Sequence, residues 1–135
     1  MWNVEKMDTT QNKKERIDQL EQRILRWVVA VMGFIGEVEK NTASVSITRQ
    51  LADSVGSTGA NFVEARAGRS KKEFSSSMGI AAKECKESLF WLRVLREARL
   101  AEQIHIDVVG KEGNEIAAIL TSICIRSKNN IKDSS

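Results

Sequence analysis

The sequence has few of the residues that build turns and strands. It contains no proline and no tyrosine, and only three tryptophans and four phenylalanines among its 135 residues. At the average usage of about 5%, a chain of this length carries roughly seven prolines. Because a β-sandwich or barrel needs many turns and favours aromatic residues in its strands, these absences argue against an all-β fold. They favour an all-helical domain with few, short connections.

Cysteine and long apolar runs are also scarce. Two cysteines are too few for a disulfide scaffold, and together with one histidine they are too few for a metal site. No uncharged stretch is longer than ten residues, as in Trp27 to Gly36, which is about half of what a membrane span needs. The first residues lack the basic-then-apolar order of a signal peptide. We therefore expect a cytoplasmic protein with reduced thiols, no membrane association, no metal and no cofactor.

The apolar residues that are present recur at helical spacing in four segments. The predicted helices are about Lys13 to Lys40, Ser44 to Ala67, Lys71 to Leu100 and Asn114 to Arg126. An earlier start of the fourth helix is the alternative, because Ile104, Ile106, Val108 and Val109 could also be helical. Four helices with short links predict an all-α fold, an antiparallel up-down four-helix bundle over residues 13–126. Residues 1–12 and 127–135 are polar and show no period, so we expect flexible tails there.

Caps and glycines predict three breaks between these helices, at Asn41-Thr42, Gly68-Arg69-Ser70 and Gly110 to Gly113. In the middle break, Ser70-Lys71-Lys72-Glu73 fits a capping box. The Ser70 hydroxyl would accept from the Glu73 N–H, and the Glu73 carboxylate would accept from the Ser70 N–H. Gly68 stands where a helix C-cap uses the left-handed conformation. So tight a turn predicts that the second and third helices are neighbours.

Two further features bear on packing. The small residues from Gly56 to Ala60 would let another helix approach the second one closely, although they lower its helix propensity.

Cys85 lies in the apolar stripe of the third helix and Cys124 lies beside Ile123 in the fourth. We predict that both cysteines are small core residues.

Polar residues on the second and third helices form a candidate interface network. Its members are Asn61, Glu64, Lys83, Glu84, Glu87 and Trp91. A buried polar set must be satisfied internally, so this one would fix a register between helices or between subunits. The alternative, general acid–base catalysis by Glu64 and Glu84, has no accompanying nucleophile or metal set. We therefore assign no catalytic residue and do not expect an enzyme.

Basic residues concentrate around the third helix. The chain as a whole has a formal net charge of +3 and a pI of about 9.0, but residues 66–99 hold nine basic and four acidic side chains. Such a row can bind phosphates by releasing their counterions. With no interleaved aromatic residue, backbone contacts with little sequence readout are expected. The alternative is a solvated face. The candidate nucleic-acid-binding residues are Arg66, Arg69, Lys71, Lys72, Arg93, Arg96 and Arg99.

Several spaced blocks resemble a signature of the bacterial four helix bundle protein family. They are Arg49-Gln50-Leu51, Ser57-Thr58-Gly59-Ala60-Asn61-Phe62-Val63-Glu64-Ala65, Ser70-Lys71-Lys72-Glu73-Phe74, Gly79-Ile80-Ala81, Lys83-Glu84, Glu87-Ser88 and Trp91-Leu92-Arg93-Val94-Leu95. That family includes the protein encoded by intervening sequences in large-subunit ribosomal RNA genes. It is also similar to the accessory variability determinant of diversity-generating retroelements. The resemblance covers residues 49–95, and by helix order about 15–126.

The resemblance carries expectations about assembly and function. It implies a four-helix bundle that assembles into a homopentameric ring. Because the retroelement relatives bind nucleic acid and the cognate reverse transcriptase, it implies a non-enzymatic protein that binds DNA or RNA through phosphates. Such a protein would be an accessory factor to a reverse transcriptase or another nucleic-acid enzyme. The alternative is a protein–protein scaffold module without nucleic-acid binding, to which the charge-poor face of the second helix points.

Overall fold

A computed structural model of the chain consists of four helices. They are α1 (Trp2–Glu37), α2 (Thr42–Arg66), α3 (Lys71–Glu97) and α4 (Gln103–Ser134). The structure describes the backbone of residues 2–134 and the side chains of residues 10–132, and no strand occurs within that part. None of the helices there is long and apolar enough to cross a membrane. The prediction of an all-α four-helix bundle is confirmed.

The apolar stripes of the four helices pack into one core. Its fully buried large side chains include Ile24, Val31, Leu51, Val55, Phe62, Met78, Leu92, Leu95, Ile116 and Leu120. Cys85 and Cys124 are buried with free thiols, as predicted. Burial raises the pKa of the Cys85 thiol to about 12. Both cysteines therefore act as small apolar side chains.

Contacts between helices are unequal around the bundle. The α2–α3 interface is the most extensive and the α1–α4 interface is the smallest. A buried hydrogen bond of 2.9 Å joins the hydroxyls of Ser54 and Ser88 across α2 and α3. The Trp27 indole N–H donates to the Val109 carbonyl at 2.9 Å, which links α1 to α4. At Gly59 an added Cβ would lie at an ordinary van der Waals distance of 3.5 Å from a Val28 methyl, and at Gly56 it would meet nothing within 4 Å, so neither glycine is required by a close approach of another helix.

Side-chain caps set the start of α2 and α3. The Asn41 side chain accepts from the Ser44 N–H and the Ser44 hydroxyl accepts from the Asn41 N–H, both at 2.9 Å. The Ser70 hydroxyl accepts from the Glu73 N–H at 3.0 Å, as predicted. The Glu73 carboxylate instead accepts from the Arg69 N–H, at 2.6 Å, one residue before the predicted donor.

Gly68 does not adopt the predicted left-handed conformation, since no glycine here has a positive φ. Ala67 is the C-cap of α2. A Cβ at position 68 would lie 3.1 Å from the Ala65 carbonyl oxygen and 3.3 Å from the Phe74 nitrogen. The glycine is therefore favoured by the crowding of the tight turn between α2 and α3.

The predicted break at Gly110 to Gly113 is wrong, because both glycines lie inside α4. The break between α3 and α4 lies at residues 98–102, and Arg99 there has a φ of 55°. The Leu100 N–H donates to the Leu95 carbonyl at 2.9 Å and the Arg99 N–H to the Arg96 carbonyl at 3.1 Å. These two bonds form a Schellman motif with an arginine in the position that glycine usually occupies.

The outer helices are longer than their apolar stripes predicted. Helix α1 includes residues 2–12, and α4 continues through residues 127–134. Both segments were expected to be tails, and Met1 and Ser135 lie outside the described residues. Periodicity reports which face of a helix is buried, so it cannot detect a helical turn whose side chains are all solvated. Gln11, Lys13, Lys14, Glu15 and Arg16 are good helix formers that are all exposed.

Candidate functional site

A cleft of about 730 Å³ runs along the seam between α1 and α4. We call it the seam cleft. Its floor is apolar, formed by Ile17, Leu20, Ile119 and Ile123. Its walls are basic and are formed by Lys13, Arg16, Arg23, Arg26 and Arg126. No carboxylate among residues 10–132 lines it, so its field is positive.

Four of these five cations form no ion pair with a carboxylate in the described part of the chain, although Arg26 lies near enough to Glu112 to help lower the pKa of that carboxyl. Arg23 is the exception, because it donates to Glu112 at 2.6 and 2.8 Å and to Glu115 at 3.3 Å. The hydrogen bond from Arg23 lowers the pKa of the Glu112 carboxyl. Arg23 therefore helps to hold α1 against α4. The charges of Lys13, Arg16 and Arg126 remain available to an anion, and the charge of Arg26 is partly offset by Glu112.

A second cleft, of about 590 Å³, lies where the α2–α3 turn meets α1 and α4. We call it the turn cleft. It shares Lys13, Ile123 and Arg126 with the seam cleft, so the two lie side by side. The turn adds Arg69 and Lys71. The lining also includes one aromatic side chain, Phe74, and the polar side chains of Ser70, Ser127 and Asn130.

The structure places the predicted basic residues of the turn in different settings. Arg69, Lys71 and Lys72 are exposed, and the first two line the turn cleft. Arg66 is half-buried and bridges to Asp18 at 2.7 Å and to Glu21 at 3.2 Å on α1. The hydrogen bond to Asp18 is the main cause of its raised pKa. Because its charge is already neutralised, Arg66 contributes to helix packing more than to a phosphate site.

The predicted row of Arg93, Arg96 and Arg99 lies at the far end of α3 from the turn cleft. Lys72 and Arg93 are 21 positions apart on one helix, which is about 32 Å at 1.5 Å per residue. Arg96 forms an ion pair with Asp107 on α4. Arg99 lies beyond the helix end and lines a small cleft that also contains Glu37, Glu39 and Glu102. The two groups of predicted cations are therefore not brought together within one chain.

The six residues of the predicted polar network do not form a network between helices within one chain either. The Asn61 amide donates to the Ser57 carbonyl at 2.8 Å, inside α2. The Trp91 indole N–H donates to Glu87 at 3.4 Å, inside α3, and its ring meets Phe90 edge to face at 5.0 Å. Glu64 and Lys83 are exposed, and Glu84 is half-buried. The buried bond that does cross between these helices is the one from Ser88 to Ser54.

The first turn of α3 is a poor place for an anion to bind on backbone N–H groups. The Glu73 N–H is already bonded to the Ser70 hydroxyl, and the Glu73 carboxylate adds a negative charge to this first turn. The side chains that are new to the site are Lys13, Arg16, Arg26 and Arg126. Their charge was visible in the sequence, but positions 13–26 and 126 come together only when α1 packs on α4.

Comparisons with known proteins agree with this architecture. The model of the 23S rRNA-intervening sequence protein family matches residues 19–122. A solved structure from Bacteroides thetaiotaomicron, described as a protein of unknown function from the S23 ribosomal protein family, is 23% identical with a TM-score of 0.74. The alignment covers 80% of this chain and 96% of that chain. At this identity the likeness shows a shared fold. The comparison with curated proteins finds no match.

Proposed function

Because the chain belongs to the 23S rRNA-intervening sequence protein family, we propose that it is a non-enzymatic protein that binds nucleic acid through phosphate contacts. The observation that carries the proposal is the seam cleft. Two helices far apart in sequence bring Lys13, Arg16, Arg26 and Arg126 to one cleft whose lining holds no carboxylate of residues 10–132. Positive charge with low competition from acids is what an electrostatic phosphate site requires.

The dimensions of the seam cleft suit a nucleic-acid backbone. From Lys13 to Arg26 the α1 wall is about 20 Å long, at 1.5 Å per residue. A duplex carries one charge for about every 1.7 Å of its axis, so several phosphates can face this wall. No aromatic side chain among residues 10–132 lines the seam cleft, which favours contacts to the backbone with little sequence readout. Arg69 and Lys71 extend the same positive surface into the turn cleft.

A salt titration with paired charge reversals tests the seam cleft. We compare Arg16→Glu/Arg126→Glu with Arg93→Glu/Arg99→Glu, because both double variants lower the net charge by the same amount. Binding of the wild type to a short RNA or DNA duplex should weaken steeply with salt. The variant in the seam cleft should lose about tenfold or more in affinity and show a shallower salt dependence. The control pair should stay within about threefold, since its charges are remote from the cleft.

Two results would overturn the proposal. An absence of binding to both RNA and DNA at about 50 mM salt would show that the chain is not a nucleic-acid-binding protein. Equal losses in the two double variants would show that net charge alone, and not the cleft, governs binding.

We propose further that the protein is an accessory factor to a reverse transcriptase or another nucleic-acid enzyme. The support is the resemblance of residues 49–95 to proteins of that kind. The role predicts a reverse transcriptase gene beside the gene for this chain, or a ribosomal RNA gene around it. A gene neighbourhood with neither would argue against the accessory role and leave phosphate binding to its own test.

For the assembly, we propose an up-down arrangement of antiparallel helices and a homopentameric ring. Support for the helix directions comes from pairs such as Glu21 with Arg66 and Glu37 with His105. Support for association comes from α1, where Leu25 and Val29 are 53% and 62% exposed and share a stripe with Met32. Exposed apolar side chains on one stripe are typical of an interaction surface. Light scattering of the purified chain should give a pentamer, and a stable monomer would refute the ring.

A protein–protein scaffold is the second candidate function, and the same stripe on α1 favours it. In that case a purified protein partner would bind this chain with unchanged affinity after nuclease treatment. Leu25→Glu/Val29→Glu should then abolish partner binding, whereas Arg16→Glu/Arg126→Glu should leave it intact. The opposite pattern would favour the nucleic-acid function.

A further inference from the structure

We propose that the turn cleft holds one unpaired nucleotide of the nucleic acid that lies in the seam cleft, with its base against the Phe74 ring. The inference rests on the proposed phosphate-binding function and adds a second kind of contact to it. Among residues 10–132, the seam cleft offers cations that suit phosphates and aliphatic side chains, but no aromatic ring on which an unpaired base could stack. The turn cleft differs because it combines cations with an aromatic side chain.

The apolar part of the turn cleft is formed by Phe74 and Ile123. Both are half-buried and pack against the core, so their positions are fixed by the fold. Phe74 is the one aromatic residue that lines this cleft among residues 10–132. A base stacked on an aromatic ring gains affinity whatever its identity, because every base presents a π-face. The ring of Phe74 supplies a surface of that kind beside the phosphate-binding cations.

The polar part of the turn cleft matches the rest of a nucleotide. Lys13, Arg69, Lys71 and Arg126 supply positive charge from α1, the turn, α3 and α4, and no carboxylate of the described side chains is part of the lining. Ser70, Ser127 and Asn130 add polar groups. A ligand that suits such a lining has a flat apolar part and an anionic part, which is the chemistry of a nucleotide.

Size and position support a single nucleotide at the end of a longer nucleic acid. The volume of about 590 Å³ lies within the range of roughly 300–1,000 Å³ of small-molecule pockets. The cleft shares Lys13, Ile123 and Arg126 with the seam cleft, so the end of a strand bound in the seam cleft lies within reach of it. The small cleft beside Arg99 is unsuited to this role, because Glu37, Glu39 and Glu102 line it and would repel phosphates.

The experiment compares two RNA hairpins that differ only by a short unpaired 3′ overhang carrying a fluorescent purine analogue. Wild-type protein should bind the overhang hairpin about fivefold or more tightly than the blunt one, the lower limit of what one stacked base contributes. The fluorescence of the analogue should be quenched on binding. Phe74→Leu keeps an apolar side chain in the cleft and should reduce the preference to less than twofold without changing the affinity for the blunt hairpin.

The matched control is Phe90→Leu. Phe90 is on the same helix and is 52% exposed, but it does not line the turn cleft. This variant should keep the preference and the quenching. If both variants lose the preference for the overhang, the loss reflects a general effect on α3, and the assignment of the contact to Phe74 is overturned. Equal binding of both hairpins by the wild type, or an unquenched overhang, would overturn the inference and leave the proposed function standing. If the wild type binds neither hairpin, both the inference and the proposed function are overturned.

Discussion

Arg99 has a backbone conformation that its side chain disfavours. Its φ of 55° lies in the left-handed region, where a residue with a Cβ loses about 1–2 kcal/mol relative to the right-handed helix. The Leu95 and Arg96 carbonyls nevertheless accept from the two N–H groups that this conformation places at the end of α3. The hydrogen bonds and the docking of α4 therefore determine the residue's conformation.

Replacing Arg99 with glycine should stabilise the protein. Glycine adopts a positive φ without steric cost, so Arg99→Gly should raise the free energy of unfolding by up to about 1 kcal/mol. Urea denaturation of the two proteins measures the difference. Arg99→Ala is the control, because it removes the same charge but keeps a Cβ and should not stabilise. Equal stabilisation by both substitutions would assign the effect to charge and not to φ.

Cys85 makes stability depend on pH in the alkaline range. Burial raises the pKa of its thiol from 9.0 to about 12, and the thiol lies 3.5 Å from the Gly113 carbonyl oxygen. Between these two values the unfolded thiol has lost its proton while the folded thiol keeps it. The unfolded state then binds fewer protons, so the free energy of unfolding falls as pH rises through this range.

The decrease should be measurable by urea denaturation in a reducing buffer. From about pH 8 to pH 10.5, wild-type protein should lose about 2 kcal/mol more than Cys85→Ala, at about 1.4 kcal/mol per pH unit above the unfolded pKa. All other ionisable side chains are the same in both proteins, so their contribution cancels in the comparison. Parallel pH profiles for the two proteins would show that the folded thiol ionises normally.

Helix α4 contains two glycines, Gly110 and Gly113, whose surroundings differ. A Cβ on Gly113 would lie 2.9 Å from both Leu89 Cδ2 and Trp27 Cζ2, whereas a Cβ on Gly110 would meet nothing within 4 Å. Gly113 therefore allows α1, α3 and α4 to meet closely, and Gly110 has no such role. The sequence predicts a turn at both glycines. A glycine required by close packing cannot be distinguished in the sequence from one required by a turn, because the neighbouring side chains in the fold are unknown at that stage.

The two glycines should respond in opposite directions to alanine. Gly113→Ala should destabilise by about 1–3 kcal/mol, because the added methyl group overpacks the contact with Trp27 and Leu89. Gly110→Ala should stabilise by up to about 1 kcal/mol through helix propensity. Thermal or urea unfolding of both variants measures the pair. Stabilisation by both substitutions would show that the Trp27 contact relaxes freely.

The elements predictable from sequence are those with local causes. The start of α3 follows from Ser70 and Glu73, whose side chains reach backbone groups a few residues away. The extent of α2 follows from its apolar stripe. The end of α3 has no such local signal, because Arg99 adopts the left-handed conformation where glycine is expected. The sequence therefore predicts a start of α4 at Asn114, whereas the helix begins at Gln103.

The candidate site depends on the whole molecule. The sequence shows a basic stretch over residues 66–99, but folding divides it between the turn and the far end of α3. Arg66 and Arg96 form ion pairs with acids of α1 and α4. The cleft without acids is assembled instead from Lys13, Arg16 and Arg26 of α1 and Arg126 of α4. No local pattern joins these positions, since about 100 residues separate them in the chain.

The free energy of local opening should fall along α1 towards its N-terminal end, where Lys13 and Arg16 form part of the seam cleft. Side chains from Thr10 to Arg16 are exposed, Ile17 is half-buried, and Leu20 is the first buried residue of the described part. A helical segment without tertiary contacts is marginally stable in water. The wall of the seam cleft that carries Lys13 and Arg16 is therefore predicted to open locally while the core stays folded.

Amide hydrogen exchange tests this gradient and its link to binding. In the free protein, amides of residues 10–16 should exchange at least about a hundredfold faster than those of residues 24–31, whose opening requires global unfolding. An RNA duplex at about 50 mM salt should slow exchange at residues 10–16, because phosphates held by Lys13 and Arg16 stabilise the helical form. Arg16→Glu/Arg126→Glu should lose this slowing. Exchange at residues 10–16 as slow as in the core of the free protein would contradict the gradient. It would also show that the wall is rigid before any ligand binds.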